Sequence, residues 1–337
     1  MKINVAIIMG GYSSENQISE KSGKVVFENL NNIFKCYNIY ISRGEWYYRD
    51  SSNKKFKIDK DDFTIVNHPK IRFDCIFNAI HGDPGENGKI QSYFESLNIP
   101  ITGSDSSQSE ITFDKIKCID FLKNKGIKVA KSFTLNINDS FDINEIINQV
   151  GLPCFVKASN SGSSFGVYKA YKKSDLVDSI KKAKKYDDNI LIETFIKGRE
   201  FSVGVVKYDN QIVVLPITEI ITSNDFFDYQ AKYEGKSKEI TPANLENNLK
   251  IKLKETAKKI YKNLKIKGLS RSEFILKDNE FYFLEINTVP GLSKESILPQ
   301  QSIEAGIPID KLFASTIYEA MDNICLLYTS PSPRDET

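Results

Sequence analysis

The sequence predicts an α/β protein with a doubly wound N-terminal unit, a central α+β lobe and a C-terminal lobe built on an antiparallel sheet. Strand and helix signals alternate over about the first hundred residues, which is typical of a mostly parallel sheet. From residue 190 the pattern changes to long strands joined by the short turn Tyr208-Asp209-Asn210, which favours antiparallel pairing. At 337 residues, 40% of them hydrophobic, the chain is long enough for more than one core.

Composition excludes several classes of protein. The 46 lysines and arginines nearly balance the 44 acidic residues, and a formal charge of +2 argues against a polyanion-binding surface over the whole molecule. No apolar run reaches the roughly 18 residues that a membrane span requires, and the apolar stretch at 3–9 is too short for a signal peptide. His68 and His81 do not stand at zinc-ligand spacing. The cysteines are scattered without a C-x-x-C pair, so we expect reduced, mostly buried thiols of a cytoplasmic protein: Cys36, Cys75, Cys118, Cys154 and Cys325.

The N-terminal domain is predicted to cover residues 1–102. Its first strand, at 3–9, ends at Gly10-Gly11 and leads into a helix near 18–30. The remaining elements are strands near 36–42 and 73–79, a helix near 88–97 and a short strand at 99–101. The polar stretch Gly103–Glu110 is interpreted as a linker to the next lobe.

The central lobe, 103–188, is predicted to begin with a helix at 114–124, because Ile116, Ile119 and Leu122 recur every three residues. Its other elements are strands at 128–134, 154–157 and 166–171 and a helix near 174–185. The C-terminal lobe, 189–325, is predicted to contain strands at 189–193, 201–207 and 211–220, a helix at 247–264, a hairpin at 270–276 and 281–287, and a helix near 308–323. The Ser/Pro-rich tail 326–337 cannot continue that helix and is interpreted as a disordered or non-native extension.

The predicted C-terminal hairpin carries the most informative polar residues. If its turn is Asp278-Asn279-Glu280, Glu273 lies opposite Glu285, and Arg271 lies opposite Asn287. Its apolar face then consists of Phe274, Leu276, Tyr282 and Leu284. Opposed carboxylates repel unless a cation sits between them, and two carboxylates with an amide oxygen suit Mg²⁺ shared with phosphates. The alternative is the solvated face of an edge hairpin.

Two loops could bind ligand groups. A strand that ends at Lys157 leads into a Gly/Ser-rich loop, which could surround an anion with backbone N–H groups and hydroxyls, although it is not a Walker A sequence. A mobile hairpin is the alternative. Glu15, after Gly10-Gly11 and at the start of a helix, would suit an ammonium group or simply the helix dipole.

Two further segments point to a ligand site. His81 stands in a glycine-rich loop after a strand, where open α/β sheets bind ligands. The connection 225–235 is long and contains four aromatic residues, which is typical of a lid rather than of a plain surface loop.

Five motifs from these segments occur in one order along the chain. They are Gly10-Gly11-x-Ser13-x-Glu15, His81-Gly82-x-x-Gly85-Glu86-x-Gly88, Gly162-Ser163-Ser164-x-Gly166-Val167, Asp228-Tyr229-x-Ala231-Lys232-Tyr233 and Glu285-x-Asn287-Thr288-x-Pro290-Gly291. In this order they resemble the D-alanine–D-alanine ligases of the ATP-grasp superfamily, from about residue 3 to residue 323. The resemblance implies an ATP-grasp fold with a Rossmann-like N-terminal domain.

The same resemblance implies a cytoplasmic enzyme that joins two D-alanines with ATP, through an acyl phosphate, for peptidoglycan synthesis. Two Mg²⁺ ions, or Mn²⁺ in their place, would be required, and the enzyme would be a homodimer with no nucleic-acid or membrane partner. ATP would be bound by Lys115, Lys157, Ser159, Ser163, Glu193 and Glu200. The metal ions would be held by Glu273, Glu285 and Asn287.

The family's substrate and catalytic positions also have counterparts here. The substrate-binding residues would be Glu15 for the ammonium of the first D-alanine, His81 beside its carboxylate, Ser296 for the second carboxylate, and Lys232. Arg271 and the Gly291 N–H would stabilise the oxyanion. Ser163 and Tyr233, with Glu15, would tie a lid at about 222–241 over the site and exclude water.

Two departures from the family pattern and several alternatives stay open. Glu273 stands where the family usually has Asp, and the tail 326–337 matches nothing in the family. A ligase that joins D-alanine to D-lactate or D-serine is the nearest alternative, although Tyr233 favours the dipeptide. An inert ATP-grasp binding protein is disfavoured by the intact site. A nicotinamide oxidoreductase lacks the G-x-G-x-x-G fingerprint.

Overall fold

The computed structural model describes residues 2–67, 71–162, 165–222 and 237–328, with the backbone alone for Ser237 and residues 323–328. Within these residues the strands form three sheets, each with its own helices. None of the described helices is long and apolar enough to cross a membrane. The described cysteines Cys36, Cys75, Cys118 and Cys154 are buried free thiols, as expected, and the side chain of Cys325 lies outside the described part.

The first sheet confirms the doubly wound unit and extends it. Its strands are β1 (Asn4–Gly10), β2 (Lys35–Ile41), β3 (Trp46–Arg49), β4 (Lys55–Lys57) and β5 (Cys75–Asn78), and its helices are α1 (Asn16–Leu30) and α2 (Lys89–Ser96). β1 pairs in parallel with β2 and β5 and is buried along almost its whole length. The sequence pattern did not predict β3 and β4, which continue the sheet antiparallel. The strand predicted at 99–101 is reduced to a single bridge between Ile101 and Ile76.

The central lobe contains a four-stranded antiparallel sheet in the order β6-β9-β7-β8. Its strands are β6 (Ser132–Asn136), β7 (Cys154–Ala158), β8 (Val167–Ala170) and β9 (Asn189–Thr194). The helices along this part of the chain are α3 (Ser106–Phe113), α4 (Lys115–Asn124), α5 (Ile143–Val150) and α6 (Lys173–Ala183). Of these, α5 and α6 pack on this sheet, whereas α3 and α4 contact the C-terminal hairpin. Strand β9, which lies in the predicted C-terminal lobe 189–325, hydrogen-bonds to β6 and β7 of this sheet.

The interpretation of Gly103–Glu110 as a linker is wrong, because α3 occupies most of this stretch. The helix packs between α2 and α4 and against the C-terminal hairpin. Its buried faces carry Ser109 and Thr112 instead of large apolar residues, so the helical periodicity is hidden. Both hydroxyls are satisfied locally: Ser109 donates to the Ser104 carbonyl at 3.3 Å, and Thr112 donates to the Gln108 carbonyl at 2.9 Å.

The third sheet has the order β13-β12-β10-β14-β15, with β11 paired to β10. Its strands are β10 (Arg199–Tyr208), β11 (Gln211–Val214), β12 (Thr218–Thr222), β13 (Ser237–Ile240), β14 (Leu269–Lys277) and β15 (Glu280–Asn287). The accompanying helices are α7 (Asn247–Asn263), α8 (Ile297–Glu304) and α9 (Ile309–Tyr328). The strand predicted at 211–220 is divided in two around Pro216, which has no N–H to donate. α9 extends three residues into the predicted tail, and residues 329–337 lie outside the described part.

The β14–β15 hairpin has the predicted pairing at its functional end, with a different turn. Arg271 pairs with Asn287 and Glu273 with Glu285. The turn, however, has two residues, Asp278 and Asn279, both with positive φ (50° and 59°). A bulge between Glu273 and Phe274 compensates for the shorter turn.

The bulge also changes which aromatic residues of the hairpin are buried. Phe274 pairs with Phe283, and their rings lie 6.0 Å apart. Phe281 and Phe283 are buried, whereas Tyr282 and Leu284 are half-buried. The prediction of the apolar face is therefore correct for Phe274. On β15 it is displaced by one residue, because Phe281 and Phe283 are buried instead of Tyr282 and Leu284.

Helix α9 joins the first and third sheets into one core. Phe313 of α9 is fully buried, and its ring lies 5.7 Å from the ring of Phe77 on β5. The same cluster contains Val206 of β10 and Leu269 of β14. The N-terminal and C-terminal lobes are thereby packed against each other, which brings the ends of β1, β5 and β15 into one region.

We expect Phe313→Ala to reduce the free energy of unfolding by about 3–5 kcal/mol, because it leaves a cavity between the two lobes. Phe141→Ala is the control, since Phe141 is 36% exposed, and it should change stability by no more than about 0.5 kcal/mol. Urea denaturation followed by circular dichroism measures both. Equal losses for the two variants would contradict the shared core.

Candidate functional site

A cavity of about 590 Å³ lies where the three lobes meet. It is lined by the start of α1, the loop after β5, the α3–α4 junction, the loop after β7, strand β13, the β14–β15 hairpin and the loop before α8. The predicted site residues that line it are Glu15, His81, Lys115, Arg271, Glu285, Asn287, Gly291 and Ser296. Residues that are more than 270 positions apart in the chain therefore meet in one cavity.

Glu15 lies at the N-terminal wall of this cavity and is 7% exposed. Its backbone N–H donates to the Ser13 hydroxyl at 3.2 Å, and that hydroxyl donates to the His81 carbonyl at 3.0 Å. A Cβ at Gly82, where φ is +69°, would lie 2.9 Å from Glu15 Oε2. A Cβ at Gly162 would approach the same oxygen to 2.9 Å. Glycines from two lobes therefore leave room for this carboxylate.

His81 is 4% exposed and both of its ring nitrogens contact protein atoms. Nδ1 lies 2.9 Å from the Val289 carbonyl oxygen and Nε2 lies 2.9 Å from Ser22 Oγ. Burial alone lowers the pKa of the imidazole, but the carboxylates of Glu86 and Glu15 outweigh burial, so the pKa is raised above its ordinary value. A contact between His81 and a substrate carboxylate stays a prediction.

Glu86 and Ser22 also line the cavity, although the sequence analysis assigned them no role. Glu86 Oε1 lies 3.8 Å from His81 Nδ1. The sequence could have identified Glu86 as a site residue, because Glu86 belongs to the His81-Gly82-x-x-Gly85-Glu86 motif. Ser22 is one serine among many in the chain, and no local pattern distinguishes it.

Arg271, Glu273 and Glu239 form a charged group at the C-terminal wall. Arg271 Nη2 donates to Glu273 Oε1 at 2.9 Å, and Glu273 is 4% exposed. Glu239, from β13, lines the cavity and was not predicted. Burial raises the pKa of the Glu239 carboxyl, with Arg271 opposing this shift and Glu273 adding to it. The guanidinium thus offsets part of the repulsion between neighbouring carboxylates.

The end of β15 and the loop after it contain two predicted residues, Asn287 and Gly291. Asn287 Oδ1 accepts a hydrogen bond from the Val289 N–H at 2.8 Å, which curves the backbone away from the strand. Ser296 stands at the N-cap position of α8 without a capping hydrogen bond from its side chain, and its hydroxyl lies 3.0 Å from the Ser293 hydroxyl. A Cβ on Gly291 would lie 2.7 Å from Ser296 Oγ, so these two residues are direct neighbours.

The predicted nucleotide residues meet at the junction of the central and C-terminal lobes. Lys157 Nζ lies 2.6 Å from Glu193 Oε2, and both side chains are largely buried. Burial alone lowers the pKa of the Lys157 ammonium, but Glu193 raises it above its ordinary value. Glu285 and Glu200 act in the same direction, so Lys157 is close enough to interact with carboxylates of the C-terminal lobe.

Asp114 positions two predicted nucleotide residues, Lys115 and Ser159. Its Oδ1 accepts the N–H groups of Ile116 and Lys117 at 3.1 and 3.2 Å, which caps α4. The same oxygen accepts the Ser159 hydroxyl at 2.5 Å. Lys115 Nζ donates to the Ser161 carbonyl in the Gly/Ser loop. The buried Asp114 carboxylate therefore links the start of α4 to the base of this loop through hydrogen bonds.

Several predicted residues lie outside the described part of the chain. These are Ser163, Lys232 and Tyr233, with residues 223–236 of the predicted lid. Their roles stay predictions. Among the described residues, no group of three or more His, Cys, Asp or Glu side chains could hold a metal ion. The predicted metal ligands are two carboxylates and one amide, which are hard oxygen donors on two adjacent strands.

The chain is similar to one family of proteins over most of its length. Two family models match it: D-ala D-ala ligase N-terminus at residues 4–104 and D-ala D-ala ligase C-terminus at residues 121–318. It is 52% identical over 316 residues to the D-alanine--D-alanine ligase of Flavobacterium johnsoniae, covering 93% of this chain and 98% of the relative. The two matched regions supply opposite walls of the cavity.

Two solved structures resemble this one closely. The VanG D-Ala:D-Ser ligase from Enterococcus faecalis superposes with a TM-score of 0.84 at 30% identity, covering 95% of this chain and all of that chain (100%). The D-alanine–D-alanine ligase from Bacillus anthracis complexed with ATP has a TM-score of 0.77 at 27% identity, covering 97% of this chain and 99% of the other. These similarities extend over all three lobes.

We expect Asp114→Ala to reduce the free energy of unfolding more than the matched variant Asp142→Ala. Asp142 caps α5 by accepting the Asn144 N–H at 2.8 Å in an exposed position, so its loss should cost about 0.5–2 kcal/mol. Asp114→Ala loses a cap and also leaves the buried Ser159 hydroxyl without this acceptor, which adds about 1–3 kcal/mol. Urea denaturation measures both variants. The same loss in each would show that the Ser159 contact contributes nothing.

Proposed function

Because the chain belongs to the D-alanine–D-alanine ligase family, we propose that its central cavity joins two D-alanine molecules with ATP. The fold is the ATP-grasp fold, in agreement with the solved relatives. One observation carries the proposal. Glu15 from the N-terminal lobe faces the same cavity as Arg271, Glu285 and Asn287 from the hairpin. The Glu15 carboxylate, which is suited to bind a substrate amine, thus lies across the cavity from side chains that are suited to bind phosphate and metal ions.

In the first step, a carboxylate oxygen of one D-alanine attacks the γ-phosphorus of ATP. The bond from that phosphorus to the β–γ bridging oxygen breaks, ADP leaves, and an acyl phosphate forms. Glu15 would hold the ammonium group of this D-alanine in the space left by Gly82 and Gly162. Lys115 and Lys157 would neutralise phosphate charge, since phosphoryl transfer depends mostly on positioning and electrostatics.

The nucleotide would lie between the central and C-terminal sheets. Glu193 and Glu200 would flank adenine and ribose, and the buried side chains at 190–192 of β9 would form the adenine wall. Ser159 and Ser163 would contribute to the phosphate loop, together with Lys157 at its base. The ion pair between Lys157 and Glu193 supports this arrangement, because a residue proposed to bind phosphate lies next to a residue proposed to flank adenine.

Glu273, Glu285 and Asn287 form a donor set that fits Mg²⁺ or Mn²⁺. All three offer hard oxygen ligands, and Glu273 faces Glu285 across the hairpin. Two Mg²⁺ ions held by these residues would neutralise the charge of the phosphates when bound. Glu273 in place of the family's usual Asp keeps the negative charge on a longer side chain.

In the second step, the amine of the other D-alanine attacks the acyl carbon. A tetrahedral intermediate forms, the bond to the phosphate oxygen breaks, inorganic phosphate leaves, and the amine loses a proton. The Arg271 guanidinium and the Gly291 N–H would stabilise the oxyanion. Ser296, a direct neighbour of Gly291, would bind the carboxylate of the second D-alanine.

Water must be kept away from the acyl phosphate, since the acyl phosphate would otherwise be hydrolysed. In this proposal, Ser163 and Tyr233, with Glu15, tie the lid at about 222–241 over the cavity, and Lys232 binds substrate. The enzyme would act as a homodimer in the cytoplasm, where ATP is available, and supply the dipeptide for peptidoglycan. The proposed reaction requires no nucleic-acid or membrane partner.

D-serine is the second candidate for the amine-side substrate. The similarity to the VanG D-Ala:D-Ser ligase, at 30% identity, favours it. The relative from Flavobacterium johnsoniae, at 52% identity, is named for D-alanine alone and favours the dipeptide. Product analysis with D-alanine plus D-serine or D-lactate distinguishes these candidates.

We expect ADP release to depend on D-alanine, and Glu15→Gln to reduce kcat/KM for D-alanine by about 10- to 150-fold. The variant keeps the shape of the side chain but loses a charged hydrogen bond to the ammonium group, worth about 1.5–3 kcal/mol. A coupled ADP assay with MgATP measures this ratio.

The control for Glu15→Gln is Glu28→Gln, which removes an exposed carboxylate from the same helix. It should leave kcat/KM within about twofold of the wild-type value. Absence of D-alanine-dependent ADP release by the wild-type enzyme would refute the proposed function. Equal kcat/KM values for Glu15→Gln and the wild type would show that Glu15 does not bind the ammonium group of D-alanine.

A further inference from the structure

We propose that Ser22 and His81 are positioning residues, which hold the backbone on both sides of Gly291 so that its N–H faces the oxyanion. The inference rests on the proposed function, in which this N–H stabilises the tetrahedral intermediate. Ser22 lies on α1, His81 follows β5, and Gly291 follows β15. The two side chains therefore connect the N-terminal lobe to the loop on which the second step depends.

Three contacts define this connection, which we call the Ser22–His81 relay. Ser22 Oγ lies 2.9 Å from His81 Nε2, and His81 Nδ1 lies 2.9 Å from the Val289 carbonyl oxygen. The Leu292 N–H donates to Ser22 Oγ at 3.5 Å. The relay thus holds one backbone group before Gly291 and one after it.

Burial makes these contacts hard to replace with water. The exposed fractions are 1% for Ser22, 4% for His81, 7% for Val289 and 1% for Leu292. A buried donor or acceptor that loses its partner costs about 1–3 kcal/mol. The loop around Gly291 should therefore move when either side chain of the relay is removed, because its polar groups would have to find new partners.

Of the two neutral tautomers of His81, only one satisfies every contact of the relay. Nδ1–H of His81 donates to the Val289 carbonyl, and Nε2 accepts the Ser22 hydroxyl proton. Ser22 Oγ then has a lone pair for the Leu292 N–H. This assigns neutral His81 to the tautomer that carries its proton on Nδ1, whereas an isolated imidazole of histidine favours Nε2.

The tautomer of His81 gives a test that does not depend on catalysis. The chain has only two histidines, so ¹⁵N spectra of the imidazoles can be assigned with a His81→Asn variant. In the wild-type protein, at a pH where the ring is neutral, we expect a protonated Nδ1 and an unprotonated Nε2. A protonated Nε2 with a bare Nδ1 would overturn the relay, since the Val289 carbonyl would then have no donor in the ring.

Kinetics separate a positioning role from a merely structural one. We expect Ser22→Ala to lower kcat by about 10- to 100-fold, in line with the effect of misplacing one reacting group. KM for ATP should stay within about twofold, because the nucleotide residues lie on other elements. Ser22→Thr keeps the hydroxyl and should retain most of the wild-type kcat.

Ser19→Ala is the matched control on the same helix. Ser19 is fully buried, donates to the Ala79 carbonyl at 2.8 Å and accepts the Gly10 N–H at 2.8 Å, so its hydrogen bonds within the described part of the chain do not involve residues 288–292. Both alanine variants should lose similar stability in urea, and Ser22→Ala alone should lose kcat. Equal kcat for the two variants would contradict the proposal.

A second pair of variants applies if Ser22→Ala does not fold. His81→Asn can place an amide N–H near Nδ1 and keep the Val289 contact, whereas His81→Ala removes both contacts. We expect the asparagine variant to retain more kcat than the alanine variant, and the reverse order would refute the relay. If the wild-type enzyme releases no ADP with D-alanine, the proposed function fails, while the tautomer still tests the relay by itself.

Discussion

Glu273 and Glu285 are paired directly across adjacent strands, where like charges repel unless a positive charge lies near them. Arg271 supplies part of that charge through its contact with Glu273 at 2.9 Å. Lys157 supplies another part, since Glu285 raises the pKa of its ammonium. The hairpin thus concentrates negative charge, which favours bound cations such as the proposed Mg²⁺.

The site also requires the N-terminal lobe to stay against this hairpin. Glu15 can face the charged group only because α9 packs β5 and β10 into one core, with Phe313 fully buried between them. His81 adds polar contacts at the same boundary, to Ser22 on one side and Val289 on the other. Apolar packing therefore sets the distance between the lobes, and the hydrogen bonds at the boundary set the position of the loop that contains Gly291.

Sequence patterns predicted the elements whose signals are local, and they failed where tertiary contacts decide. The pairing of Glu273 with Glu285 was predicted from a three-residue turn, but it arises from a two-residue turn and a bulge. Helix α3 was missed because its buried positions are hydroxyl residues satisfied within the chain. Glu239 joins the site from the far edge of the third sheet, and Ser22 meets His81 across 59 positions. No local spacing could reveal either contact.

The central claim is that the cavity activates a carboxylate of D-alanine as an acyl phosphate before the second amine attacks. D-alanine labelled with ¹⁸O in its carboxylate tests this directly, by mass spectrometry of the inorganic phosphate released with MgATP. One carboxylate oxygen should pass to the phosphate, so the account predicts one ¹⁸O atom in each phosphate released by turnover. Dipeptide formation with unlabelled phosphate would contradict it.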